Sequence, residues 1–152
     1  MESTRRSILL VEDNPDDELL TMRAFNRNHI VNSIDVVRDG AEALDFLLCR
    51  GEWADRNPSD LPQVVLLDLK LPKIGGLEVL RQIRAHEMLK ALPVVILTSS
   101  SEEADIISSY NLGANSYVRK PVDFTQFCDA VRDLGLYWLV LNEPSPLPRP
   151  GD

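Results

Sequence analysis

The chain has 152 residues with 16 basic and 24 acidic side chains, a formal net charge of -8 and a pI of about 4.7. That balance excludes a partner held mainly through phosphate contacts, because nucleic-acid affinity comes largely from Lys and Arg neutralising the backbone. Residues 1–7 are polar and no apolar run approaches the ~18 residues of a membrane span, so a cytoplasmic protein without signal peptide or anchor is expected.

Along the chain, solid apolar runs alternate with segments of helical period. Ile8-Leu9-Leu10-Val11 is the first such run. Asn14-Pro15-Asp16-Asp17-Glu18 then offers an N-cap, a first-turn proline and acids at the positive end of a helix. Ile34-Asp35-Val36-Val37 carries an acid and reads as an edge strand, and Gly40 leads into a helix over 41–48. The stretch 49–63, with Gly51, Trp53, Pro58 and Pro62, is a long irregular loop; Trp53 serves either as a docking surface or as a lid over the core. Val64-Val65-Leu66-Leu67 is the next apolar run, Gly76 opens a helix over 77–85, and Val94-Val95-Ile96-Leu97 is the third run. Ser100 with Glu103 forms a capping box before a helix over 104–110. Ser116-Tyr117-Val118-Arg119 alternates like an edge strand. Asp123 with Gln126 caps the last helix, where Phe124, Phe127, Val131, Leu134 and Trp138 make a core-facing stripe. The prolines from Pro144 onward forbid further helix, so a domain over 1–140 is followed by an extended tail over 141–152. His29 and His86 stand among polar neighbours in helical stretches, and Cys49 and Cys128 match no metal-ligand spacing.

Five βα units imply an α/β fold: a parallel sheet with right-handed crossovers. Solid apolar runs are buried on both faces, so the three of them belong in the centre. The order is then 2-1-3-4-5, the flavodoxin-like (βα)5 doubly wound sheet.

In such a sheet ligands bind beyond the carboxyl ends of the strands. Glu12 and Asp13 follow the first strand, Asp68 the third, Thr98 ends the fourth and Lys120 follows the fifth. Three carboxylates held together repel one another and require a cation. An all-oxygen set suits Mg2+. An aspartate side chain is ionised at neutral pH and needs no general base, so Asp68 can act as a nucleophile toward phosphorus. Lys120 and Thr98 then neutralise and position the incoming group.

These residues resemble the receiver domain of two-component response regulators over nearly the whole chain. The motifs are Val11-Glu12-Asp13, Leu67-Asp68-Leu69-Lys70-Leu71-Pro72 with Gly75-Gly76, Leu97-Thr98-Ser99, and Tyr117-Val118-Arg119-Lys120-Pro121. The resemblance implies that Asp68 is the phosphoacceptor and that Asp13 binds Mg2+ directly, Glu12 through water. It implies that the Lys70 backbone carbonyl completes the metal ligands, that Thr98 and Tyr117 form the switch pair, and that Lys120 binds the phosphoryl group, with a cis bond before Pro121. Glu12 stands where the family more often has Asp, Gly75 where it often has Asp, and Lys70 adds a cation beside the site. The 49–63 loop, Ser109-Tyr110 and Tyr137-Trp138-Leu139 are similar to single-domain regulators that partner bacterial phytochrome kinases.

A phosphoacceptor of this kind is not an enzyme with turnover, although it assists its own phosphotransfer and dephosphorylation. Its partners are a sensor histidine kinase and, through the fourth helix, fifth strand and fifth helix, a second copy of itself. Two competing readings are an aspartyl-nucleophile phosphohydrolase and a pseudo-receiver that binds partners without phosphorylation. The first needs a second acid two positions after the nucleophile, where this chain has Lys70; the second goes with a damaged pocket, and this one is intact. A flavin-binding site is disfavoured by the acidic loop after Val11.

Overall fold

The computed structural model describes residues 7–28, 33–98, 102–119 and 124–134. Five strands, β1 (Ser7–Val11), β2 (Ser33–Val37), β3 (Val64–Leu67), β4 (Val94–Thr98) and β5 (Ser116–Arg119), alternate with helices α1 (Pro15–Arg27), α2 (Gly40–Leu48), α3 (Gly76–Ala85), α4 (Glu103–Asn111) and α5 (Phe124–Leu134). All strand pairs are parallel and the order is β2-β1-β3-β4-β5, as the burial argument requires.

Successive side chains of a strand point to opposite faces, and here both faces are covered. Leu9, Val11, Val65, Leu67, Val94 and Ile96 join one core with α2 and α3. Their neighbours Ile8, Leu10, Val64, Leu66, Val95 and Leu97 join the other with Ala24 and Phe25 of α1 and Cys128 and Val131 of α5. This two-sided burial is why the three central runs contain no polar residue. β2, paired on one side only, is half-buried over Ser33–Val36 and tolerates Asp35.

Helix starts follow local chemistry at α1, where the Asn14 side chain accepts from the backbone N–H groups of Asp16 and Asp17 and Pro15 occupies the first turn. At α4 the structure departs from the expected capping box. The helix begins at Glu103 with Glu102 as its N-cap, and Glu102 makes no side-chain capping bond. Ser100 lies outside the described residues, as do Asp123, the Lys120–Pro121 bond, His29, Trp138 and the tail 141–152. His86 ends α3 rather than lying within a helix, and its Nδ1 accepts from the Met88 N–H at 3.1 Å.

The long loop is a lid. A short 3-10 turn, Gly51–Trp53, sets the Trp53 ring edge-on to Phe46 with centroids 4.8 Å apart. The Arg56 guanidinium lies 3.9 Å from the Phe46 centroid and donates to the Phe46 carbonyl. Cys49 ends α2 at a φ of 57°, and both it and Cys128 are free thiols.

At the amino ends of β4 and β5, Arg84 at the end of α3 acts as a clamp. It donates to the carbonyls of Gly113 (2.7 Å from Nη2), Leu92 (2.6 Å) and Lys90 (3.2 Å), and to Asn115 Oδ1 (2.9 Å). Asn115 Oδ1 also accepts from the Val94 N–H at 2.8 Å, so one side-chain oxygen ties the starts of both strands to the helix.

Candidate functional site

At the opposite edge of the sheet, β1 runs on by one residue. The Glu12 N–H donates to the Val37 carbonyl at 3.0 Å, which keeps Glu12 in the sheet and only 1% exposed. Asp13 comes next and is exposed at the start of the turn into α1. The Asn14 backbone N–H donates to Glu12 Oε2 at 3.2 Å, so Asn14 serves two tasks, capping α1 and orienting the buried acid. Only the first was legible in the sequence. The spacing Glu12-Asp13-Asn14 carries the second, as an acid whose own chain folds an amide back onto it two residues later.

Asp68 continues β3 in the same manner, its N–H donating to the Val11 carbonyl at 3.2 Å. The residue is 8% exposed. Oδ1 accepts from the Lys70 N–H at 3.1 Å and from the Thr98 hydroxyl at 2.7 Å. Burying a carboxylate is costly unless hydrogen bonds compensate it, and charge-assisted bonds are the strong ones. A Cβ on Gly76 would lie 2.2 Å from the Asp68 carbonyl oxygen, so only glycine lets α3 begin this close to the acid. Gly40 is bound in the same way against the loop after β3: its Cβ would meet the Ile74 carbonyl oxygen at 1.9 Å.

One carboxylate oxygen each of Glu12, Asp13 and Asp68 lies within 4.8 Å of the others. Two of the three acids are buried, and like charges this close favour a bound cation. The donor set is oxygen throughout, which fits a hard divalent ion rather than zinc. The structure brings Glu12, Asp13, Asp68 and Thr98 together at one edge of the sheet. Lys70 stands beside them and is exposed, and its N–H donates to Asp68. Lys120 lies outside the described residues. Tyr117, on β5, packs against the core that contains Leu67 and Ile96.

The chain is similar to known proteins over most of its length. The response regulator receiver domain model matches residues 8–132. The probable methanogenesis regulatory protein FilR2 of Methanothrix harundinacea is 45% identical over 91% of this chain and 88% of its own. The response regulator Rcp1 of Synechocystis is 39% identical over 87% of this chain and 88% of its own. The Mn2+-bound crystal form of Rcp1 superposes with a TM-score of 0.83, covering 92% of this chain and 99% of that one at 36% identity. The bacteriophytochrome response regulator RtBRR is 54% identical, with a TM-score of 0.76 over 93% of this chain and 84% of its own. No described helix is long and apolar enough to cross a membrane. With the sheet order, the acidic edge and the match over 8–132 in agreement, the chain belongs to the response regulator receiver domain family.

Proposed function

We propose that Asp68 accepts a phosphoryl group from the phosphohistidine of a sensor kinase and that the product acts through protein contacts. The observation that carries this is the convergence of the Glu12, Asp13 and Asp68 carboxylates with the Thr98 hydroxyl already on Asp68. An Asp68 oxygen attacks phosphorus, the new P–O bond forms as the N–P bond breaks, and the departing imidazole nitrogen keeps the electron pair. Glu12, Asp13, Asp68 and the Lys70 carbonyl would hold Mg2+. When bound, that ion neutralises charge on the phosphoryl oxygens. The Thr98 hydroxyl donates to a phosphoryl oxygen, Lys120 supplies the opposing ammonium, and Tyr117 relays the change to the surface. The same groups serve hydrolysis, in which a water oxygen attacks phosphorus, the P–O bond to Asp68 breaks and the Asp68 carboxylate is restored as inorganic phosphate leaves.

The likeness to RtBRR, named for its bacteriophytochrome, supports a phytochrome-type kinase as donor. Ile107 and Tyr110 are 52% and 50% exposed and stand three residues apart on α4, one helical face beside β5. That apolar pair supports a homodimer through α4, β5 and α5.

Incubation with acetyl phosphate and Mg2+ is expected to give one hydroxylamine-sensitive phosphoryl group, absent from Asp68→Asn. Undiminished labelling of Asp68→Asn at another residue would overturn the assignment. Transfer from a phytochrome kinase faster than from other histidine kinases is the expected mark of the partner. Light scattering with and without beryllofluoride reports the dimer.

A further inference from the structure

The loop that follows Asp68 folds back onto it and also leans on a helix from another part of the chain. The Lys70 N–H donates to Asp68 Oδ1 at 3.1 Å, and the chain then turns at Lys73 before α3 begins at Gly76. Around that turn the Ile74 N–H donates to the Pro72 carbonyl at 2.8 Å, and Lys73 takes a φ of 67°. A side chain in this left-handed region costs energy that a glycine would not. Three contacts from the start of α2 hold the turn in place. A Cβ on Gly40 would lie 1.9 Å from the Ile74 carbonyl oxygen and 2.7 Å from its carbon, so the loop fits only over a glycine. The Gly40 N–H donates to the Pro72 carbonyl at 3.4 Å, and the Lys73 ammonium lies 3.5 Å from Asp39 Oδ2. Asp39 is itself fixed, because its other oxygen caps α2 by accepting from the Glu42 N–H at 2.7 Å.

We propose that the start of α2 is a positioning element for Asp68: Gly40 and the Asp39–Lys73 pair set the loop that brings the Lys70 N–H to the carboxylate. Each acts through the loop, and the reason is steric. A methyl group at position 40 would have to move the Ile74 carbonyl by about 1 Å or more to reach an ordinary contact distance. That displacement finds no room on the α3 side, where Gly76 already lies against the backbone of Asp68 and Leu69. It passes back along the chain to Lys70 instead. For metal binding this presupposes the role given above to the Lys70 carbonyl, which belongs to the same loop. Groups that orient a metal's ligands change its affinity about tenfold or more when they are lost. The start of α2, some thirty residues before the phosphoacceptor, would thereby tune both the ion and the acid. By reciprocity, an ion on that loop alters the free energy of the contact with α2.

The test compares the full chain with Gly40→Ala and Lys73→Gly, using proton–nitrogen NMR in metal-free buffer and calorimetric Mg2+ titration well below the unfolding midpoint. Gly40→Ala is expected to displace the assigned Lys70 amide signal and to weaken Mg2+ binding about tenfold. Lys73→Gly removes the tie to Asp39 while relieving the left-handed turn of its side chain. It is expected to displace the same signal and to weaken Mg2+ binding about threefold, the scale of one exposed ion pair. Its denaturant midpoint should stay at or above the parental one, so that loss of affinity is separated from loss of stability. A glycine with a packing role alone would lower stability and leave the affinity of the folded protein untouched. Parental Mg2+ affinity in both variants, or a Lys70 amide that stays in place, therefore overturns the proposal. Should Gly40→Ala fail to fold, Lys73→Gly decides by the same two measurements. If the parent itself binds no Mg2+, the metal role fails, while the Lys70 amide in metal-free buffer still decides whether α2 positions the loop.

Discussion

The two ends of the sheet handle buried charge in opposite ways. At the amino ends of β4 and β5, one guanidinium is saturated by neutral acceptors: the carbonyls of Lys90, Leu92 and Gly113 and the amide oxygen of Asn115. Burial draws Arg84 below the usual guanidinium range, yet it stays the fixed centre of a clamp. At the carboxyl ends, three carboxylates crowd within 4.8 Å; backbone N–H groups donate to Glu12 and Asp68, and the Thr98 hydroxyl donates to Asp68. A cation among carbonyls is complete and static, and its contribution is to stability. Like charges gathered together are strained toward a ligand, and their contribution is to binding.

The sharpest way to break this contrast is at the clamp. Arg84→Ala is expected to cost about 3 kcal/mol in denaturant unfolding, since three carbonyls and Asn115 lose a charged donor at once. Arg84→Lys should recover only part of it, because an ammonium lacks the planar fork. Phosphoryl labelling of the folded fraction should be unchanged; its loss would mean that the two ends are coupled.

At the acidic end the signs reverse. Asp13→Asn should lower Mg2+ affinity at least about tenfold by calorimetry. In metal-free buffer the same variant should be more stable than the parent by about 1 kcal/mol, since it removes one of the mutually repelling charges. Saturating Mg2+ should cancel or invert that difference, because the ion binds the folded parent more tightly. A parent more stable than Asp13→Asn without metal would show that these acids are structural.

The smallest effect lies between the two ends, on the exposed flank of α3. Hydrogen bonds from Arg81, with Nε 2.8 Å from Glu78 Oε1, and from Gln82 lower the Glu78 carboxyl from its ordinary value of 4.5 to about 2. A depressed folded value contributes stability that is fully present above about 4.5 and lost as pH falls through about 2. Solvent screens this pair, so the gap between parent and Glu78→Gln should be slight at neutral pH and close between those two values in acid titrations. A gap that widens on acidification would contradict the sign.

Much of this molecule is written in local pattern. Uninterrupted apolar runs at Ile8–Val11, Val64–Leu67 and Val94–Leu97 fix the central strands and their order, because only two-sided burial removes the polar alternation. Asn14 and Pro15 fix the start of α1, and the placement of Glu12, Asp13, Asp68 and Thr98 after their strands brings them to one edge. At α4 the local pattern misled. The Ser100–Glu103 pair has the composition of a cap, but the helix takes Glu102 as its N-cap, without a side-chain capping bond.

What the tertiary structure alone decided is who touches whom across the chain. Trp53 became a lid because Phe46, itself covered by Arg56, meets it there. Arg84 stands at a helix end, and only the folded chain brings Gly113 and Asn115, some thirty positions later, under it. The Thr98–Asp68 bond likewise spans thirty residues. Periodicity determines which face a side chain takes within its own element. Strand register and helix packing determine which partner waits on that face, and those are settled only when the whole sheet closes.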